Sequence, residues 1–202
     1  TQYQVAHVEL AMEAITDKRH DDAIQLLTEC LDFPHHLGEG KLHGAQENDF
    51  FYLLGVAYEG LGDMASAHNC YERAIVGPQE PAAAMYYNDA KPDKIFYQGM
   101  ALLRLGRKDE ANGRFHKLIN YGKNHIFEKV KMDYFAVSLP DLQIWEDSLD
   151  TKNKIHCLFM LAMGYYGLGD KATAMKYLSE VETLDINHIS VMQFKSIIGK
   201  IN

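Results

Sequence analysis

Apolar residues between Leu53 and Ala74, in LLGVAYEGLGDMASAHNCYERA, recur at helical spacing on either side of a break at Gly62-Asp63, which predicts two antiparallel helices. The same phrase returns downstream as GMALLRLGRKDEANGRFHKL (Gly99 to Leu118) and LAMGYYGLGDKATAMKYLSEV (Leu161 to Val181). A degraded copy, LAMEAITDKRHDDAIQLLTEC, runs upstream from Leu10 to Cys30. Each copy places a small residue part-way along its first helix (Ala11, Gly55, Gly99, Ala162) and an alanine early in its second (Ala23, Ala67, Ala111, Ala174). Small residues there let two helix axes approach closely while large neighbours interlock around them. Between the helices, Gly62, Gly106 and Gly169 can take the positive φ that ends a helix, and the next helix is expected to enter through Asp63, Asp109 or Asp170. A bulky residue follows four after the alanine (Leu27, Tyr71, Phe115, Leu178) and a further core residue three later (Cys30, Ala74, Leu118, Val181).

Small-x2-Tyr in the first helix with Ala-x3-aromatic in the second resembles the tetratricopeptide repeat. The resemblance implies an all-α, right-handed superhelix of four helical hairpins, taken as one repeat domain over residues 1–202. The hairpins are expected at about 3–31, 49–76, 93–120 and 154–182, with a capping helix over 186–200. The period departs from the family. The second-helix alanines at 23, 67, 111 and 174 are 44, 44 and 63 residues apart, against about 34 in a standard repeat. Segments 33–48, 77–92 and 121–153 are therefore insertions, and insertions between stacked hairpins tend to share one face, often the binding face.

The insertions carry their own expectations. In the second, Pro81 in a first-turn position predicts a short helix from Glu80 through the alanines, and Tyr86 and Tyr87 read as packed. In the third, Ile126, Val130 and Tyr134 recur every four residues, predicting a helix to about Val137; Ser138 with Pro140 and Asp141 then starts another through Leu142 and Trp145. A last helix carries Ile189, Met192, Ile197 and Ile198. GEGKLHGAQEND, YYNDAKPDKIFYQGMALLRLGR and DYFAVSLPDL are similar to the C-terminal repeat region of large Bacteroidetes proteins with a β-rich, mutarotase-like N-terminal part. That similarity implies a piece of a longer, carbohydrate-related protein. It carries no catalytic role onto these residues.

Composition narrows the function. A net charge of −8 with scattered Lys and Arg argues against nucleic acid, which needs a basic stripe. The apolar runs are too short to span a bilayer. Cys30, Cys70 and Cys157, at unrelated spacings, read as buried small hydrophobes; this usage suits a reducing compartment such as the cytoplasm and is compatible with the periplasm. His35, His36 and His43 with Glu39 and Glu47 raise the question of a metal, but the loop's glycines and the lack of cysteine favour a solvated or partner-facing segment, so no metal or other cofactor is expected. An enzyme would recruit Asp133, Asp141, Glu146 and Asp147, with His125 as a further candidate, yet acids at helix starts are already explained by capping and the helix dipole.

The reading is a non-catalytic protein–protein or domain–domain interaction scaffold. The runner-up is an accessory region of a carbohydrate-active enzyme whose catalytic domain lies upstream, with carbohydrate reached only through the full-length protein. In the resembling family the first helices line the concave face. The residues there are Tyr52, Val56 and Glu59, then Phe96, Met100 and Leu103, then Phe159, Met163 and Tyr166, preceded by Val8 and Met12. This set is aromatic and Met-rich, unlike the Lys and Asn that hold terminal carboxylates in chaperone-tail binders. It is either an exposed groove or core beneath the insertions; in the second case a partner meets the polar loop rim at Glu39, Lys41, Asn88 and Asp93.

Overall fold

The computed structural model describes residues 2–32, 34–38, 40–41, 44–83, 91–130 and 149–200. Nine α-helices and one 3-10 turn (His35–Leu37) account for the ordered elements among them. The helices are α1 (Gln2–Thr16), α2 (His20–Glu29), α3 (Asn48–Leu61), α4 (Met64–Ala74), α5 (Asp93–Arg104), α6 (Lys108–His125), α7 (Leu149–Gly167), α8 (Lys171–Leu184) and α9 (Ile189–Lys200). Helices α1 to α8 pair as four antiparallel hairpins stacked into an all-α solenoid, and no strand occurs among the described residues. The first helices α1, α3, α5 and α7 lie against one another in series, while α2, α4 and α6 pack mainly on their own partner and on the first helix of the next hairpin. That arrangement puts the first helices on the inner, concave side.

Close approach explains the stacking. The alanines Ala11, Ala23, Ala67, Ala111, Ala162 and Ala174 are all buried. The Phe115 ring of α6 lies between two glycines. A Cβ added at Gly99 of α5 would come within 2.4 Å of that ring, and one at Gly167 of α7 within 2.3 Å. Tyr71 of α4 stands likewise over Gly55 of α3, where a Cβ would be 2.3 Å from the ring. An aromatic ring set directly on helix backbone brings the axes together and leaves no room for a side chain.

The turns follow the sequence pattern, with one substitution of means. Gly62, Gly106 and Gly169 have φ of 80°, 75° and 88°. The first hairpin fills the same place with Lys18 at φ 61°, a conformation that costs a residue with a Cβ. Asp63 and Asp170 cap α4 and α8 by accepting the Ser66 and Thr173 amide N–H, each at 3.0 Å. Hydrogen bonds from the Ser66 and Thr173 hydroxyls first, and then from their amide N–H groups, hold both carboxyls below the ordinary aspartate range. Asp109 does not play this part. Helix α6 starts after Arg107, whose guanidinium forks onto Glu110 with two contacts of 2.7 Å, and Asp109 is simply an acid in the first turn.

The insertions differ most from expectation. The chain from Pro81 to Ala83 is not helical, and the Ala82 carbonyl accepts instead from the His156 ring at 2.8 Å. No helix begins at Ile126 either. Instead α6 runs on to His125, Gly122 packs against α7 where a Cβ would meet the Cys157 carbonyl at 2.8 Å, and the chain turns where His125 bonds Glu128 at 2.6 Å. Helix α7 correspondingly starts at Leu149. Tyr86, Tyr87, Tyr134, Ser138, Pro140, Leu142 and Trp145 lie outside the described residues.

Two stability predictions follow from this packing. Gly99→Ala and Gly167→Ala should each destabilise by about 1–3 kcal/mol through overpacking against Phe115. Gly113→Ala, on an α6 position with nothing within 4 Å of the added carbon, should stabilise by about 0.5–1 kcal/mol; equal urea midpoints for all three would refute the wedge. Lys18→Gly should raise stability by roughly 0.5–1 kcal/mol by relieving a left-handed residue. A melting temperature that falls would show that the Lys18 side chain contributes more than its backbone costs.

Candidate interaction groove

The first helices bring the concave-face residues together, and five of the nine lie in the hydrophobic core. Tyr52, Phe96, Phe159, Met163 and Tyr166 are buried, and Val56, Glu59, Met100 and Leu103 are half-buried. Tyr52 sits 6.0 Å from the Tyr71 ring and 5.7 Å from that of Tyr97. At one edge, Glu59 accepts hydrogen bonds from the Tyr71 hydroxyl at 2.6 Å and the Arg104 guanidinium at 3.0 Å. Burial, then the Glu59 carboxylate, pushes the Tyr71 phenol far above its usual value.

Among the described residues, helix α9 covers the aromatic centre. Its Phe194 lies 5.1 Å from Phe96, 5.7 Å from Phe159 and 5.7 Å from Tyr166, in each case edge to face. Val191 and Ile197, three residues to either side, are buried with it. Helix α9 also touches α8 and α1, and the Ser196 hydroxyl reaches Glu9 at 3.4 Å. Ile189 and Met192, by contrast, face outward with 62% and 60% exposure. The seat of Phe194 was not legible in the sequence, although the spacing Val191, Phe194, Ile197 is the available signal.

Beside Phe194 opens a cavity of about 770 Å³ between the N-terminal halves of α1, α3, α5 and α7 and the inner side of α9. Of the rim residues, Asp93 lines it, Lys41 does not, and the other two lie outside the described chain. Asp93 opens α5 on the cavity wall with 34% of its side chain exposed, and loss of hydration there pushes its carboxyl up. Lys94 is dehydrated too, but Asp49 at 2.6 Å and Asp93 at 3.9 Å hold its ammonium above the ordinary lysine value. Lys41 is exposed and pairs with Glu47. Glu39 and Asn88 lie outside the described residues, as do His43, Asp133, Asp141, Glu146 and Asp147. Among the described residues no group of three or more His, Cys, Asp or Glu could hold a metal ion. Cys30, Cys70 and Cys157 are free and buried, and no described helix is long and apolar enough to cross a membrane.

A second device escaped sequence reasoning. Buried side-chain amides on the first helices tie down the chain that leaves the second helices. Asn48 donates to the Ala74 and Val76 carbonyls at 2.6 and 2.8 Å, Gln98 to Pro78 at 3.0 Å, and Asn153 to His125 at 2.8 Å. Gln4 does the same to Cys30 at 3.1 Å. Single Asn and Gln residues carry no periodic signal, so nothing in the pattern singled them out.

Models of the tetratricopeptide repeat match residues 49–75, 95–121 and 156–183, which are hairpins α3–α4, α5–α6 and α7–α8. These three hairpins are tetratricopeptide repeats. The matched segments share the small residue, the left-handed glycine and the buried alanine described above, and hairpin α1–α2 keeps the same register with Ala11, Lys18 and Ala23. Tetratricopeptide repeats generally bind proteins and are typically not catalytic.

The cavity wall yields a pH prediction. His156 donates from Nε2 to the Ala82 carbonyl, and burial holds its pKa below the ordinary histidine value; burial does the same to His188. The unfolded chain takes up these protons near pH 6.5 while the native chain resists them, so stability is whole above about pH 6.5 and falls as pH drops toward the lower native value. Urea midpoints should therefore decline between about pH 7 and 5, and His156→Gln, which keeps a donor for Ala82, should reduce that decline. An unchanged slope in the variant would refute the assignment.

Proposed function

We propose that this chain is a non-catalytic interaction scaffold that docks a protein or a further domain of its own polypeptide. The observation that carries the reading is that two of the tetratricopeptide repeats, through Phe96 of α5 and Phe159 and Tyr166 of α7, present an aromatic surface that already receives one amphipathic helix, α9. Helix-in-groove recognition uses this kind of surface, in which rings and flexible thioethers such as Met100 adapt to an apolar helix face. The polar rim near Lys41 and Asp93 adds charge at the entrance, where it steers partner orientation more than it adds affinity.

A photo-crosslinking amino acid at Lys41, on the exposed rim, should form adducts with one defined protein in cells. The same probe at Gln25, exposed on α2, should not. Adducts at neither position, or equal adducts at both, would remove the rim from the interaction surface.

A further inference from the structure

The groove is occupied by a terminal helix held there by one apolar face. Helix α9 has 12 residues, a length that is marginal for an isolated helix in water, so its helicity depends on the seat it occupies. It is joined to α8 only through Asp185–His188, and on its flanks it has a half-exposed pair, Lys195 to Glu182 at 2.6 Å, and a long hydrogen bond from Ser196 to Glu9 at 3.4 Å. Its anchorage is one buried face of Val191, Phe194 and Ile197, while Ile189 and Met192 on the other side stay in solvent.

We propose that α9 is a displaceable occupant of the concave face, and that the seat of Phe194 between Phe96, Phe159 and Tyr166 accepts the aromatic anchor of a partner's amphipathic helix. This rests on the interaction-scaffold reading and specifies its ligand. The resident helix defines that ligand's chemistry: one aromatic residue with an aliphatic residue three positions to either side, on a helix of about three turns. Exchanging one such helix for another conserves the buried apolar area, so displacement avoids the cost of leaving Phe96, Phe159 and Tyr166 bare to water. The cavity of about 770 Å³ beside Phe194 gives an incoming side chain space to enter before α9 departs. The tether works against the newcomer, because a helix on a short linker competes at an effective concentration of about millimolar. Apparent affinity is therefore lowered by the small fraction of molecules whose groove is open.

The test uses the full chain and a fluorescent synthetic peptide of residues 186–200 as the probe. Wild-type protein should bind it weakly. Phe194→Ala, which weakens the tethered helix but leaves the seat intact, should bind it at least about tenfold more tightly by anisotropy, since large-to-small changes at such sites cost far more than that factor. The same peptide with its phenylalanine replaced by alanine should not bind the variant. Hydrogen exchange should show residues 189–200 opening ahead of α5 and α7 in the wild type. Affinity unchanged by Phe194→Ala, or a loss of helical circular dichroism in that variant beyond the share of the 12 residues of α9, would make α9 permanent core and overturn the proposal. A wild-type dimer that dissociates on Phe194→Ala would overturn it in favour of exchange of α9 between two copies. These outcomes concern the displacement of α9; the scaffold reading is tested separately, by the crosslinks from Lys41.

Discussion

The Phe115 ring, held between the backbones of Gly99 and Gly167, sets the distance between the third and fourth hairpins. Helix axes normally keep 8–10 Å apart according to the side chains between them; a ring resting on two glycines lets α5, α6 and α7 form one close-packed unit. Tyr71 over Gly55 does the equivalent inside the second hairpin. Because the first helices are drawn together by these wedges, their remaining side chains are forced to one side, and a concave face of aromatics and methionines results. The groove is thus a by-product of how the hairpins pack, before any ligand is considered.

Close stacking would be costly if the long connections left buried carbonyls without partners, since each such group forfeits its bond to water. The amides of Gln4, Asn48, Gln98 and Asn153, with the imidazole of His156, take on those carbonyls. Each tie reaches from a first helix to the chain at or beyond the end of a second helix, so the connection is fixed near its exit and its remaining length is free to vary. That is how spacings of 44 and 63 residues coexist with repeats that still stack in register.

Repetition is why so much of the fold was legible. The small residue, the left-handed glycine and the buried alanine recur in fixed order, and even where the glycine is replaced by Lys18 the backbone keeps its φ. Asp63 and Asp170 were readable as caps, whereas Asp109 was misread because α6 starts after Arg107 without a side-chain cap and Asp109 lies inside its first turn. Outside the repeats the pattern weakens. A four-residue recurrence of Ile126, Val130 and Tyr134 suggested a helix, but α6 extends to His125 and the chain then turns. For α9, periodicity could show that one face is apolar, but not which surface receives it. The sequence named Tyr52, Phe96, Phe159 and Tyr166 without showing that Phe194 lies among them.

Stacked repeats usually touch only their neighbours, so their stability is close to a sum of local terms. Helix α9 breaks that rule. It contacts α8 beside it and α1 at the other end of the array, joining Glu9 to Ser196 across 187 residues of sequence. It also places Phe194 on rings from both α5 and α7. A linear array thereby becomes a closed one, in which the first hairpin is held from two sides although its own turn carries the unfavourable Lys18. Removal of α9 from the groove therefore has an effect beyond uncovering Phe96: it releases α1 from the distal end of the chain. A helix that replaces α9 but is too short to reach α1 leaves the first hairpin supported only by α3, so occupancy of the groove and order of the first hairpin are coupled through a single helix.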